Sequence, residues 1–228
     1  MSSNPNPPAV NPLPPVVVAL CLFIMGIELA FSLGARGIVG GPEAVGWRLS
    51  AIQTYAFSGE IFAWMWETGR WPLDQVMRFV TYPFVHGSFT QTIFVCVFVL
   101  AMGKMVAEVF GSVAMLLIFV LSGVGGALLY AILLTEPYPL VGGFPAVYGL
   151  IGAFTFLLWV NLSLVGENQS RAFTLIALLM GIQLVFGLLF GGTKDWVADL
   201  GGFATGFGLS FLFVPGGWAR IRALLQRD

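Results

Sequence analysis

Few side chains in this sequence can do chemistry. The one histidine, His86, stands just ahead of an apolar run, and the two cysteines, Cys21 and Cys96, lie inside apolar runs. Zinc is held by clusters of thiolates and imidazoles, and these scattered residues offer no such set. The cysteines read as small buried residues and not as a disulfide framework. No cofactor is implied. Two carboxylates, Glu28 and Asp199, sit within otherwise apolar segments. A carboxylate at bilayer depth costs about 3 kcal/mol on insertion scales, so each should face a cavity or a partner. For Asp199 the candidate partners are His86 and Tyr148; for Glu28 none is evident. Asp195 and Asp199 are four apart and share a helical face, but aspartyl chemistry needs two carboxylates sharing a proton, usually delivered from different elements. Asp195 reads instead as part of a wet turn. Ser122 has glycine neighbours and reads as a packing serine. Ser88 lies two residues from His86, a spacing that does not bring helical side chains face to face.

The elements that must position these groups are set by composition. Of 228 residues, 58% are hydrophobic and 9% charged, against about 25% charged in soluble domains. A soluble fold of this length cannot hide so much apolar surface, which makes the lipid bilayer the solvent. A net charge of −1 gives no sign of a nucleic-acid partner. Apolar runs long enough to span recur six times: Val16 to Leu33, Phe89 to Val106, Val113 to Leu134, Phe144 to Leu164, Ala172 to Phe190 and Val197 to Val214. The long first loop, Gly34 to His86, mixes charge with Trp47, Trp64, Trp66 and Trp71, which suits the headgroup level. Residues 1–15, rich in Pro and Asn, lack the basic start of a signal peptide. They read as a disordered tail before a retained helix. Residues 16–214 form the membrane domain, and 215–228 a basic tail with Arg220, Arg222 and Arg227. With six spans, Lys104, Arg171 and that tail share a side, and the opposite short turns hold Lys194. The expected placement has both termini cytoplasmic, in a bacterial inner (plasma) membrane.

Three local patterns sharpen the picture. Gly142-Gly-Phe-Pro-Ala-Val-Tyr-Gly149 opens the fourth span, Asp199-Leu-Gly-Gly202-Phe-Ala-Thr-Gly206 lies in the sixth, and Arg78 precedes His86-Gly-Ser-Phe-Thr-Gln91 at the second. In order and placement the chain resembles the rhomboid family of intramembrane serine proteases. The resemblance implies an all-α, six-helix bundle with an interfacial first loop. It also places Phe144 where that family carries its serine nucleophile and Asp199 where it carries its histidine base. Gln91 falls at the second-span histidine and Val95 at the asparagine one turn later. A benzyl ring cannot attack a carbonyl, and a serine is weak without a base in reach. Val95 has no side-chain donor for an oxyanion, though Gln91 has one. Pro145 removes a backbone N–H where the family has glycine. Losing the nucleophile or base alone costs a serine protease about 10⁶-fold in turnover.

What survives is scaffold. Gly202 and Gly206, four apart, would let the sixth helix approach the fourth, where Gly149 and Gly152 offer a smooth surface. Arg78 would anchor the first loop to lipid headgroups or backbone carbonyls, and His86 would make a structural hydrogen bond to that loop. His86, Tyr148 and Asp199 are the candidate pocket residues. The leading expectation is a rhomboid-like pseudoprotease that binds transmembrane segments of client proteins. The alternatives are an active intramembrane serine-type endopeptidase working with other residues, and a small transporter or channel using Glu28 and Asp199.

Overall fold

The computed structural model describes residues 12–134, 136–190 and 193–214. The basic tail residues Arg220, Arg222 and Arg227, and most of the N-terminal tail, lie outside the described residues. Six helices are long and apolar enough to cross a membrane: α1 (Pro15–Ala35), α6 (Phe89–Phe110), α7 (Ser112–Leu133), α8 (Phe144–Leu164), α9 (Thr174–Phe190) and α10 (Trp196–Phe213). In hydrocarbon an unpaired backbone amide costs several kcal/mol, so these runs close their bonds within the helix. The first loop carries four short helices, α2 (Trp47–Tyr55), α3 (Gly59–Thr68), α4 (Leu73–Val76) and α5 (Arg78–Thr81).

The sequence boundaries need two corrections. The second span runs on past Val106 to Phe110, because Lys104 and Glu108 pair one turn apart at 3.9 Å and do not end the helix. The break comes at Gly111, whose φ of +90° suits a residue without a Cβ. The fifth span begins at Thr174, after a 3₁₀ turn over Gln169–Phe173. That turn is opened by Asn168, whose Oδ1 accepts the Ser170 N–H at 3.0 Å.

Helices α7, α8 and α10 form the packed centre, held at backbone distance by glycine. A Cβ at Gly206 would strike the Gly149 carbonyl, one at Gly202 the Pro145 carbonyl, and one at Gly152 the Phe203 carbonyl. On the other side of α10, Gly126 of α7 faces the Ala198 carbonyl in the same way. With lipid on the outside there is no water to squeeze out, so such close van der Waals contact is what holds helices together. Helix α1 lies against α6, with Val17 against Gly103. Helix α9 stands apart. Ile176 is buried, whereas Leu178, Ile182, Val185, Phe186, Leu188 and Leu189 are exposed.

The first loop keeps Trp64, Trp66 and Trp71 exposed, with Trp66 and Trp71 edge-on to one another, as headgroup-level aromatics are. The loop is fixed to the bundle at defined points. Phe57 and Leu140 exchange both backbone bonds, at 3.1 and 2.8 Å. Arg78 Nη1 donates to the Ala56 carbonyl at 2.9 Å. Tyr82 donates its hydroxyl proton to the Gly123 carbonyl of α7 at 2.7 Å.

Candidate functional site

The site is built around the first turn of α8. Its entry is Val141-Gly142-Gly143, with Gly142 at φ +91°. Three side chains shape that entry. Gln91, at the start of α6, donates from Nε2 to the Val141 carbonyl at 3.3 Å and accepts the Gly87 N–H on Oε1 at 2.9 Å. Val95, one turn later, fills the space beside Gly143, where a Cβ would lie 2.9 Å from its Cγ1. His86 accepts the Gly143 N–H on Nε2 at 3.2 Å. An amide just ahead of a helix lacks an intrahelical partner, and the imidazole supplies one. Burial pushes the His86 pKa down to about 4, which leaves the ring neutral and able to accept.

The His86 ring also hydrogen-bonds the Phe84 backbone in the first loop, and Arg48 Nη1 of that loop donates to the His86 carbonyl at 2.8 Å. One expectation for His86 is corrected: it is not the partner of Asp199. That partner is Gln183 of α9, whose Nε2 donates to Asp199 Oδ2 at 2.8 Å. Tyr148 joins through the same amide, its hydroxyl donating to Gln183 Oε1 at 3.4 Å. Gln183 could have been found from sequence, since an amide in the middle of an apolar span needs a partner as much as a carboxylate does.

Two cavities, of about 820 and 360 Å³, meet at Phe144, Gln183 and Asp199, which line both. Asp199 is buried, and its Oδ1 has no hydrogen-bond partner. The larger cavity also takes in Gln91, Pro145, Phe186, Asp195 and Trp196. Asp195 is only half-buried, just ahead of α10; burial raises its carboxyl pKa, while a 2.7 Å hydrogen bond from Thr193 acts the other way. Thr193 lines the larger cavity. Ser122 and Ser88 line neither. Ser122 is buried against Gly149, and Ser88 caps α6 by accepting the Gln91 N–H at 3.2 Å. Among the described residues no cluster of three His, Cys, Asp or Glu could hold a metal ion.

Glu28 has partners after all. Arg48 grips its carboxylate with both Nη atoms, at 2.6 and 2.9 Å. Ser32 and Thr92 add hydrogen bonds at 2.7 and 3.0 Å. The guanidinium also lies 5.5 Å from the Phe31 ring centre. The pair spans 20 residues and joins α1 to α2, so no local spacing announced it. Glu28 is locked between α1, α2 and α6 and lines neither cavity.

A glycine-packed bundle of six apolar helices, with an aromatic loop at one rim and a cavity between the second, fourth, fifth and sixth spans, defines a polytopic integral membrane protein. Residues 73–216 match the Rhomboid domain, and the chain belongs to the rhomboid family. It is similar to "RHOMBOID-like protein 4" of Arabidopsis thaliana, 30% identical over 141 residues, which is 62% of this chain and 35% of the relative. It is 32% identical to "Rhomboid-like protease 3" of Toxoplasma gondii over 139 residues, 59% of this chain and 51% of that protein. The similarity to "Putative rhomboid protease YdcA" of Bacillus subtilis (strain 168) is lower, 26%, but covers 88% of this chain and 89% of the relative. The matched region thus amounts to about a third to a half of the plant and parasite proteins.

Proposed function

We propose that this rhomboid-family protein binds transmembrane segments of client proteins without cutting them. The observation that carries the reading is Phe144. A phenylalanine stands where the resemblance puts the nucleophile, and its ring lines both cavities beside Asp199. Around it, Pro145 has no N–H to offer an oxyanion, Val95 no polar atom, and Gln91 spends its amide on the Val141 carbonyl. A cavity of about 820 Å³ reached past the lipid-exposed α9 is a volume into which side chains of another helix fit.

Lys104 and Arg171 lie at one end of the bundle and Lys194 at the other. By the positive-inside rule the first end is cytoplasmic, which puts both termini there and opens the Asp199 cavities to the opposite face. A bacterial plasma membrane suits this arrangement.

The test uses purified protein in bilayers with generic rhomboid substrates. Intact substrates that copurify in mild detergent support the proposal. Cleavage abolished by a serine-directed phosphonate rejects it. A peptidase using other residues is the second reading, favoured by the Thr193–Asp195 hydrogen bond at the cavity wall and by the word protease in two relatives' names. It requires cleavage that is lost in both Thr193→Val and Asp195→Ala. A proton path through Glu28 and Asp199 has less support, since Glu28 is held by Arg48 away from both cavities.

A further inference from the structure

The buried Asp199 lines both cavities and has one carboxylate oxygen without a hydrogen-bond partner. Oδ2 takes the Gln183 amide at 2.8 Å, whereas Oδ1 has no partner. The surroundings discriminate between ligands. Asp195 lies one turn away on the same side of α10 and adds a second carboxylate to the larger cavity. Lys194 lines that cavity too, but its ammonium pairs with Glu136 at 2.7 Å. The ring of His86 is neutral and bonded to Gly143. Three aromatic side chains, Phe144, Phe186 and Trp196, share the wall. Aromatic faces attract cations, most strongly where water is excluded, and a buried carboxylate is best compensated by a cation at hydrogen-bond distance.

We infer that the cavity over Asp199 receives one cationic group, an ammonium or guanidinium, from a client's transmembrane segment. The inference rests on the client-binding reading and names the class of segment bound. Depth follows from the fold. Asp199 is the fourth residue of α10, so at 1.5 Å per residue its carboxylate lies about 5 Å inside the end of the span. The matching residue is a Lys or Arg about one turn inside the end of the client helix.

The experiment uses the full chain in nanodiscs of phosphatidylcholine and dye-labelled Leu/Ala transmembrane peptides with a single variable residue. Lysine at the fourth position should bind at least tenfold more tightly than norleucine there, which has the same carbon chain without the ammonium. Moving the lysine to the middle of the peptide should remove the gain, as should Asp199→Asn. The lysine and norleucine comparison on the unaltered chain decides the matter even if the variant folds poorly. Equal binding of the two overturns the inference and leaves client binding standing. A gain that persists in a folded Asp199→Asn, or at the middle position, also overturns it. Binding by none of the peptides overturns the inference and the client-binding reading together.

Discussion

Removing the Arg48 side chain should destabilise the protein mostly through the charge it leaves behind. Glu28 is 1% exposed in its side chain and receives both Arg48 nitrogens, Ser32 and Thr92. Breaking a buried pair by deleting one partner costs about 3–5 kcal/mol, because the remaining charge is uncompensated. Arg48 keeps 22% of its side chain exposed, so some water can reach the gap, and the low end, about 3 kcal/mol, is expected for Arg48→Ala. Glu28→Gln removes the charge yet keeps groups that Ser32 and Thr92 can bond. Its cost should be about 1–2 kcal/mol, the difference between charged and neutral hydrogen bonds. The double variant then carries no orphaned charge, and its cost should fall short of the sum by about 2 kcal/mol. Reversible unfolding in mixed micelles, followed by tryptophan fluorescence, measures all three; Trp47 sits next to Arg48 and reports on the region. Costs that add to within about 0.5 kcal/mol would refute the argument, since independent sites behave that way.

Three further outcomes are expected. Stability should decline as pH falls from 6.5 toward about 4: burial holds the folded His86 near 4 against an ordinary 6.5, so in that window the unfolded chain takes up the proton first. The full loss is about 3 kcal/mol, and His86→Gln, which can still accept from Gly143, should flatten the pH profile of unfolding. Gly206→Ala should cost more than about 3 kcal/mol by pushing α10 off the Gly149 carbonyl, while Gly208→Ala, with open space at its Cβ, should be neutral or slightly stabilising in the same unfolding assay. Phe144→Ser combined with Asp199→His should not restore cleavage of a fluorogenic transmembrane substrate, because Pro145 and Val95 offer a developing oxyanion no donor and Gln91 gives its amide to the Val141 carbonyl; turnover by that variant would contradict the account of the site.

The fold was legible because the solvent is. Apolar runs of bilayer length can only be helices, and the fourth span begins at Phe144 and ends at Leu164 in sequence and structure alike. The second was read short because Lys104 and Glu108 look like a terminus until they are seen to pair. The site was legible in part. Phe144 and Asp199 were singled out through the family pattern, and they share a cavity. Gln183 was visible as a polar residue in an apolar span but easily passed over, because one amide hardly alters the hydropathy of such a window. Arg48 was hidden for the opposite reason, as one charge among many in a long loop, with a partner on another element. Pairings across 16 and 20 residues are decided by how helices dock, and no local periodicity encodes that.

The contrast between the glycine seam and α9 bears on how this protein can change. Along α7, α8 and α10 the backbones already touch, so almost any added methyl group is paid for in the spacing of the whole bundle. Most of α9 meets lipid, and lipid accepts one aliphatic residue as readily as another. Sequence drift is therefore confined on one wall of the cavity and, Gln183 apart, nearly free on the other. The lining of the cavity can change by rewriting a single helix, with the remaining five left as they are.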